Sequence, residues 1–84
     1  MKITVTQQHI DAGLKGSCTK DPVALAVLEL GFVRPWVGAT HLSFLDRKSR
    51  KEHSYLIPRA VQEFMYAFDN SKPVLPFEFE LEGV

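Results

Sequence analysis

Late in the chain, Phe77, Phe79 and Leu81 alternate with Glu78, Glu80 and Glu82. Successive side chains of a strand point to opposite faces, so one face here is aromatic and aliphatic and the other carries carboxylates. The first face has to be covered and the second has to meet water. The chain must therefore build a sheet with one wet side, which is an antiparallel habit. It has 84 residues with which to do so. A chain of that size buries only about 60% of its unfolded surface. Nearly every large apolar residue is then committed to the core, with little room left for a catalytic cavity.

The remaining elements follow from local chemistry. Ile3 and Val5 point one way and Lys2 and Thr4 the other, which reads as a short half-buried strand. Thr6 is placed to cap a single helical turn reaching Asp11, and Gly13 to supply its left-handed stop. Residues 13–20 are loop by composition. Asp21 as N-cap and Pro22 at the first helical position open a second helix. Over residues 23–30 its only charge is Glu29, as in a helix buried nearly all round, and Gly31 ends it. Pro35 and Gly38 interrupt any strand within residues 32–40, so extended chain with a bend is expected there. His41–Leu45 and residues 53–57 read as strands around a polar hairpin loop at 46–52. Pro58 starts a third helix, in which Val61, Phe64, Met65 and Phe68 form one stripe. Asp69 and Asn70 end it, Asn70 tolerating the left-handed cap.

This order predicts one α+β domain. It has a four-stranded, mainly antiparallel sheet with helices on one face, the ferredoxin-like split βαβ arrangement.

Candidate chemistry is sparse. Cys18, His9, His41 and His53 are the cysteine and histidines, and no two have the tight spacing of a metal site. His41 and His53 can face each other across the hairpin, but two histidines do not make a site, so no metal or other cofactor is expected. Cys18 sits shortly before a helix N-terminus, and His9 can serve it as a base if the first turn folds over the loop. No acidic orienter or oxyanion loop accompanies them, and no enzymatic activity is expected. Glu78, Glu80 and Glu82 recur every second residue, a spacing that suits solubilising and protecting a strand better than paired-carboxylate catalysis. A single cysteine forbids an internal disulfide and suits a reducing cytoplasm. The first residues lack the apolar run of a secretory leader, and the longest such run, 22–28, falls short of a membrane span. A cytoplasmic protein without membrane contact is expected.

Binding surfaces are better supplied. Ten Lys and Arg balance ten Asp and Glu, which excludes a dedicated polyanion binder. The zero is nevertheless a sum of unlike regions. Arg47, Lys48, Arg50 and Lys51 crowd the hairpin loop, between Asp46 and Glu52, while Glu78, Glu80 and Glu82 line the last strand. The hairpin suits phosphates or an acidic protein surface, with Trp36, His53 or Tyr55 available for stacking. Trp36 lies in an irregular segment, where it either closes the core or stands out as an anchor, and the small core makes closure the default. The opposite charges also allow self-association, one molecule's acidic strand meeting another's basic loop. An edge position for the last strand adds strand addition as a further route.

Residues 5–13 (VTQQHIDAG), 22–26 (PVALA), 55–58 (YLIP), 61–64 (VQEF), Phe68 with Asp69, and 74–79 (VLPFEF) stand in an order and spacing worth taking together. In that order they resemble a family of small phage- and prophage-encoded proteins of unknown role. The resemblance spans most of the chain apart from residues 32–52. Members often carry a cysteine directly before the PVALA helix, where this chain has Asp21, so no thiol role carries over to that position. The resemblance implies a small accessory protein made in an infected bacterium. Such a protein is expected to bind a host or phage protein, host defence machinery included. Trp36, Arg47, Lys48, Arg50, Lys51, Glu78, Glu80 and Glu82 are the expected contacts. The alternative is a nucleic-acid-binding accessory protein using the basic hairpin.

Overall fold

A computed structural model describes residues 1–81. Strand β1 (Lys2–Val5) leads into helix α1 (Gln7–Ala12). The Thr6 hydroxyl accepts the His9 N–H at 3.3 Å, and His9 Nδ1 accepts the Thr6 N–H at 2.9 Å. This is a reciprocal capping box with histidine in the place usually held by glutamate or glutamine.

Gly13 ends α1 at φ −69°, outside the left-handed region expected of it. Its glycine is needed for room. A Cβ there would stand 2.7 Å from the Pro22 ring and 2.8 Å from the Pro22 nitrogen. Pro22 is fully buried at the start of α2 (Pro22–Glu29) and has nowhere to go. Gly13→Ala is therefore expected to cost about 1–3 kcal/mol in urea unfolding, as overpacking does. An unchanged midpoint would mean that the α1–α2 junction is free to open.

Asp21 caps α2 through Oδ1, which accepts the Ala24 N–H at 2.7 Å. Val23, Ala24, Ala26 and Val27 are buried, but Leu28 and Leu30 are exposed, so α2 is two-sided rather than buried all round. Gly31 takes φ +98° and makes the expected left-handed stop.

Residues 33–37, expected to be irregular, form strand β2 (Val33–Val37). Proline is tolerated because β2 is an edge strand and the ladder is interrupted there. The register on β3 (His41–Leu45) shifts between Val33 and Trp36, and Arg34 sits at φ +52° in that irregularity. β3 pairs in turn with β4 (Glu52–Leu56), and helix α3 (Arg59–Asp69) follows. Asn70 keeps φ −99°, so the left-handed residue after α3 is Ser71, at φ +59°.

The last strand, β5 (Phe77–Glu80), pairs antiparallel with β1, not with the hairpin. The α+β class therefore stands, but the single four-stranded sheet is replaced by a two-stranded sheet β1-β5 and a three-stranded sheet β2-β3-β4. Helix α2 lies against both β1 and β2. The sheets thus share a helix and one core of Ile3, Val5, Val23, Val27, Leu42, Phe44 and Val61, with the Phe64 ring of α3 tilted against Phe77 at 4.6 Å between centroids.

Candidate functional site

The register of the three-stranded sheet sorts its side chains. Val37, Leu42 and Phe44 face the core, and Tyr55 and His53 share their side by pairing. The opposite face carries the row Trp36, Ser43, Ser54, followed by His41 beside Leu56. Trp36 is 47% exposed and Leu56 73%. The irregularity around Pro35 sets the phase of β2 so that Val37 enters the core and Trp36 faces water. The core placement favoured by domain size is thus overturned.

The indole is not loose. It lies against the backbone of Gly38, where a Cβ would fall 2.3 Å from its Cζ3. The glycine supplies a flat seat for the ring. The Gly38 N–H donates to the His41 carbonyl at 2.8 Å, closing the β2–β3 turn.

The hairpin loop stands beyond the other end of β3 and β4. Asp46 organises it, accepting the Lys48 N–H at 2.9 Å, and these backbone bonds hold its carboxyl below the usual range. Arg50 takes the left-handed conformation at φ +58°, which turns the chain back into β4. Arg47, Lys48, Arg50 and Lys51 are all exposed. Arg34 shares a shallow cleft with Phe44, Leu45 and Glu52 at the base of the same hairpin, which the sequence did not reveal. Among the described residues, none of these five cations forms an ion pair.

Glu78 and Glu80 lie exposed on β5, and Lys2 reaches Glu78 at 3.6 Å. Glu82 lies outside the described residues. Glu80 borders a cleft with Tyr55 and Leu56, at the far end of β4 from the basic loop. Four residue steps of strand separate Glu52 from Leu56, roughly 14 Å. The hairpin cations thus stand at one end of β4, and Glu80, paired with the Met1 amino group at 3.5 Å, borders the other.

The catalytic and metal candidates are dispersed. His41 pairs with Leu56 and His53 with Phe44, so the two histidines do not face each other. Among the described residues, no three metal-binding side chains cluster. His9 is buried and committed to structure. With Nδ1 accepting from Thr6, Nε2 carries the proton and donates to the Glu29 carboxylate. The signal for this role was the Thr6-to-His9 spacing of three, the spacing of a capping box. Cys18 is exposed and lines a cleft of about 320 Å³ with Val37, Met65 and Tyr66. His9 is not part of that cleft. No helix among the described residues is long and apolar enough to cross a membrane.

Comparison of the chain with protein-family models, curated proteins and solved structures finds no match.

Proposed function

We propose that this protein is a non-catalytic binding module that docks on another protein through the outer face of its three-stranded sheet. Trp36 is the anchor, and the basic hairpin is the orienting charge. The observation that carries this reading is the exposed indole seated on Gly38. Tryptophan is enriched among residues that dominate binding energy, and Trp36 shares its outer face with the exposed Leu56. Here it is held rigid, so little of its ordering entropy is left to lose on docking. Arg34, Arg47, Lys48, Arg50 and Lys51 then favour an acidic rim on the partner. The resemblance to phage- and prophage-encoded proteins points to a host or phage protein in the bacterial cytoplasm as the partner, with a defence complex as a target to be blocked.

Capture from host lysate with and without nuclease tests the class of partner. A single protein retained after nuclease is expected. Trp36→Ala should lose that protein at least tenfold, as anchor residues do, while its melting temperature stays within a few degrees. Gly38→Ala should do the same, because the new methyl displaces the ring without removing it. Loss of folding in Trp36→Ala would return the indole to the core.

The five cations, unpaired among the described residues, favour a second reading, contact with nucleic acid through the hairpin tip. Affinity would then fall steeply with salt, as counterion release requires, and capture would vanish with nuclease.

A further inference from the structure

Two separate sheets leave four strand edges, and these are not treated alike. Helix α2 lies against β1 and β2. The edge of β2 is also engaged where the Val37 N–H donates to the Cys18 carbonyl at 2.7 Å. Among the described residues, in contrast, β4 pairs only with β3 and β5 only with β1. Their ends border one gap, a cleft of about 540 Å³ lined by Tyr55, Leu56, Pro58, Glu80 and Leu81.

The ladders decide which backbone groups face that gap. The Ile57 N–H donates to Thr40 at 2.8 Å and the Asp46 N–H to Lys51 at 2.9 Å. Hydrogen-bonded pairs alternate along an antiparallel ladder, so residues 53, 55 and 57 bond inward to β3. Ser54 and Leu56 therefore turn their N–H and C=O groups away from β3. On β5, the Leu81 N–H donates to Met1 at 2.8 Å, so Phe77 and Phe79 bond to β1. Glu78 and Glu80 turn their backbone groups away from it. Each edge thus offers alternate donors and acceptors, the arrangement an added strand uses.

We propose that this gap is a strand-acceptor site for an extended segment of a partner protein in which apolar residues alternate with lysine or arginine. A strand added beside β5 places every second side chain on the face of Glu78 and Glu80, and the others on the face of Phe79 and Leu81. The first set meets carboxylates and the second meets the core. Lys2 and the Met1 amino nitrogen approach Glu78 and Glu80 from β1, at 3.6 and 3.5 Å. β4 brings no lysine or arginine from the other side, only Glu52, Ser54 and Leu56 on that face. Exposed Leu56 suits the aliphatic stem of a lysine whose ammonium reaches Glu80. A second copy of β5 is a poor occupant, because it sets carboxylates against carboxylates.

The test uses a short acetylated, amidated peptide alternating valine and lysine, its valine–glutamate counterpart, and the lysine peptide N-methylated along one edge. Hydrogen exchange of the whole protein is the readout. The lysine peptide should slow exchange at the amides of Ser54, Leu56, Glu78 and Glu80, and the glutamate peptide should bind about tenfold more weakly, as reversal of exposed charge pairs implies. The double variant Glu78→Lys, Glu80→Lys should invert that preference. If the variant does not fold, the two peptides on the unaltered protein still decide. Equal binding of the N-methylated peptide, or unchanged exchange at all four amides, would overturn the proposal. So would slow exchange there without peptide in a sedimenting dimer, which would make a second copy the occupant.

Discussion

Asp21→Asn is expected to leave stability nearly unchanged at pH 4 and to raise it at pH 8 by on the order of 3 kcal/mol. The Asp21 side chain is fully buried, and Oδ2 has no hydrogen-bond partner among the described residues. Burial pushes its pKa from the ordinary carboxylate range up to about 7, against the lowering effect of the Ala24 and Val23 N–H groups and with a further push from Asp69. The unfolded chain releases this proton near pH 4, whereas the folded chain keeps it until about pH 7. Through that window the folded state binds more protons, so stability falls as pH rises, by at most roughly 1.4 kcal/mol per unit. Above pH 7 both states are ionised and the loss is complete. Asparagine keeps an oxygen for the Ala24 N–H and cannot ionise, so the variant escapes the decline. Urea unfolding of both proteins at pH 4, 6 and 8 isolates the effect, because their other titrating groups are shared. Parallel curves across that range would show that Asp21 ionises normally. Asp21→Ala is the contrasting case: it also escapes the decline, but its curve lies below that of Asp21→Asn by about 1 kcal/mol at every pH, the cost of the lost cap.

That behaviour rests on a residue whose local role is legible in the sequence and whose burial is not. Asp21 before Pro22 reads as an N-cap, and it is one. Nothing in that dipeptide says that loop residues 13–20 and the end of α3 come together nearby, where the Gly16 N–H donates to Asp69 at 3.0 Å. The same division runs through the fold. β5 and α3 are legible because their periods, two and 3.6, survive unbroken. β2 is not, because Pro35 and Gly38 carry the wrong local signal and the strand survives only by standing at an edge. Which strands pair is written in no local pattern. β1 and β5 meet from nearly opposite ends of the chain, so the single sheet was the simpler and mistaken assembly. At the candidate site, the hairpin cations are plain from composition, whereas the exposure of Trp36 depends on the irregularity that resets the phase of β2. Arg34 joins the cations for the same reason, through a pairing that composition does not record.

Phe44→Ala is expected to destabilise the protein by about 3–5 kcal/mol, the range for emptying a buried aromatic site. Phe44 is 1% exposed and sits at the centre of a ring cluster. Phe32 lies 4.4 Å from it, His53 5.6 Å and Tyr55 5.7 Å, centroid to centroid. These rings come from β4 and from the residue entering β2, so Phe44 ties both neighbours of β3 to one point. A domain of this size has a total stability of roughly 4–12 kcal/mol, so the loss is a large share of it. The midpoint of thermal unfolding should fall by about 15–30 °C, because 1 kcal/mol moves a domain this small by several degrees. Phe44→Leu keeps most of the volume and should cost about 1.5 kcal/mol or less, which separates packing from aromatic contact. A similar loss in both variants would assign the stability to ring–ring geometry. The consequence reaches function, because the outer face with Trp36 and the open edge of β4 are the reverse side and the border of the sheet that Phe44 holds. Phe44→Leu, which stays folded, should therefore retain docking through Trp36, whereas Phe44→Ala should lose docking in step with folding as temperature rises. Docking that outlasts the fold would show that the hairpin cations bind without the sheet.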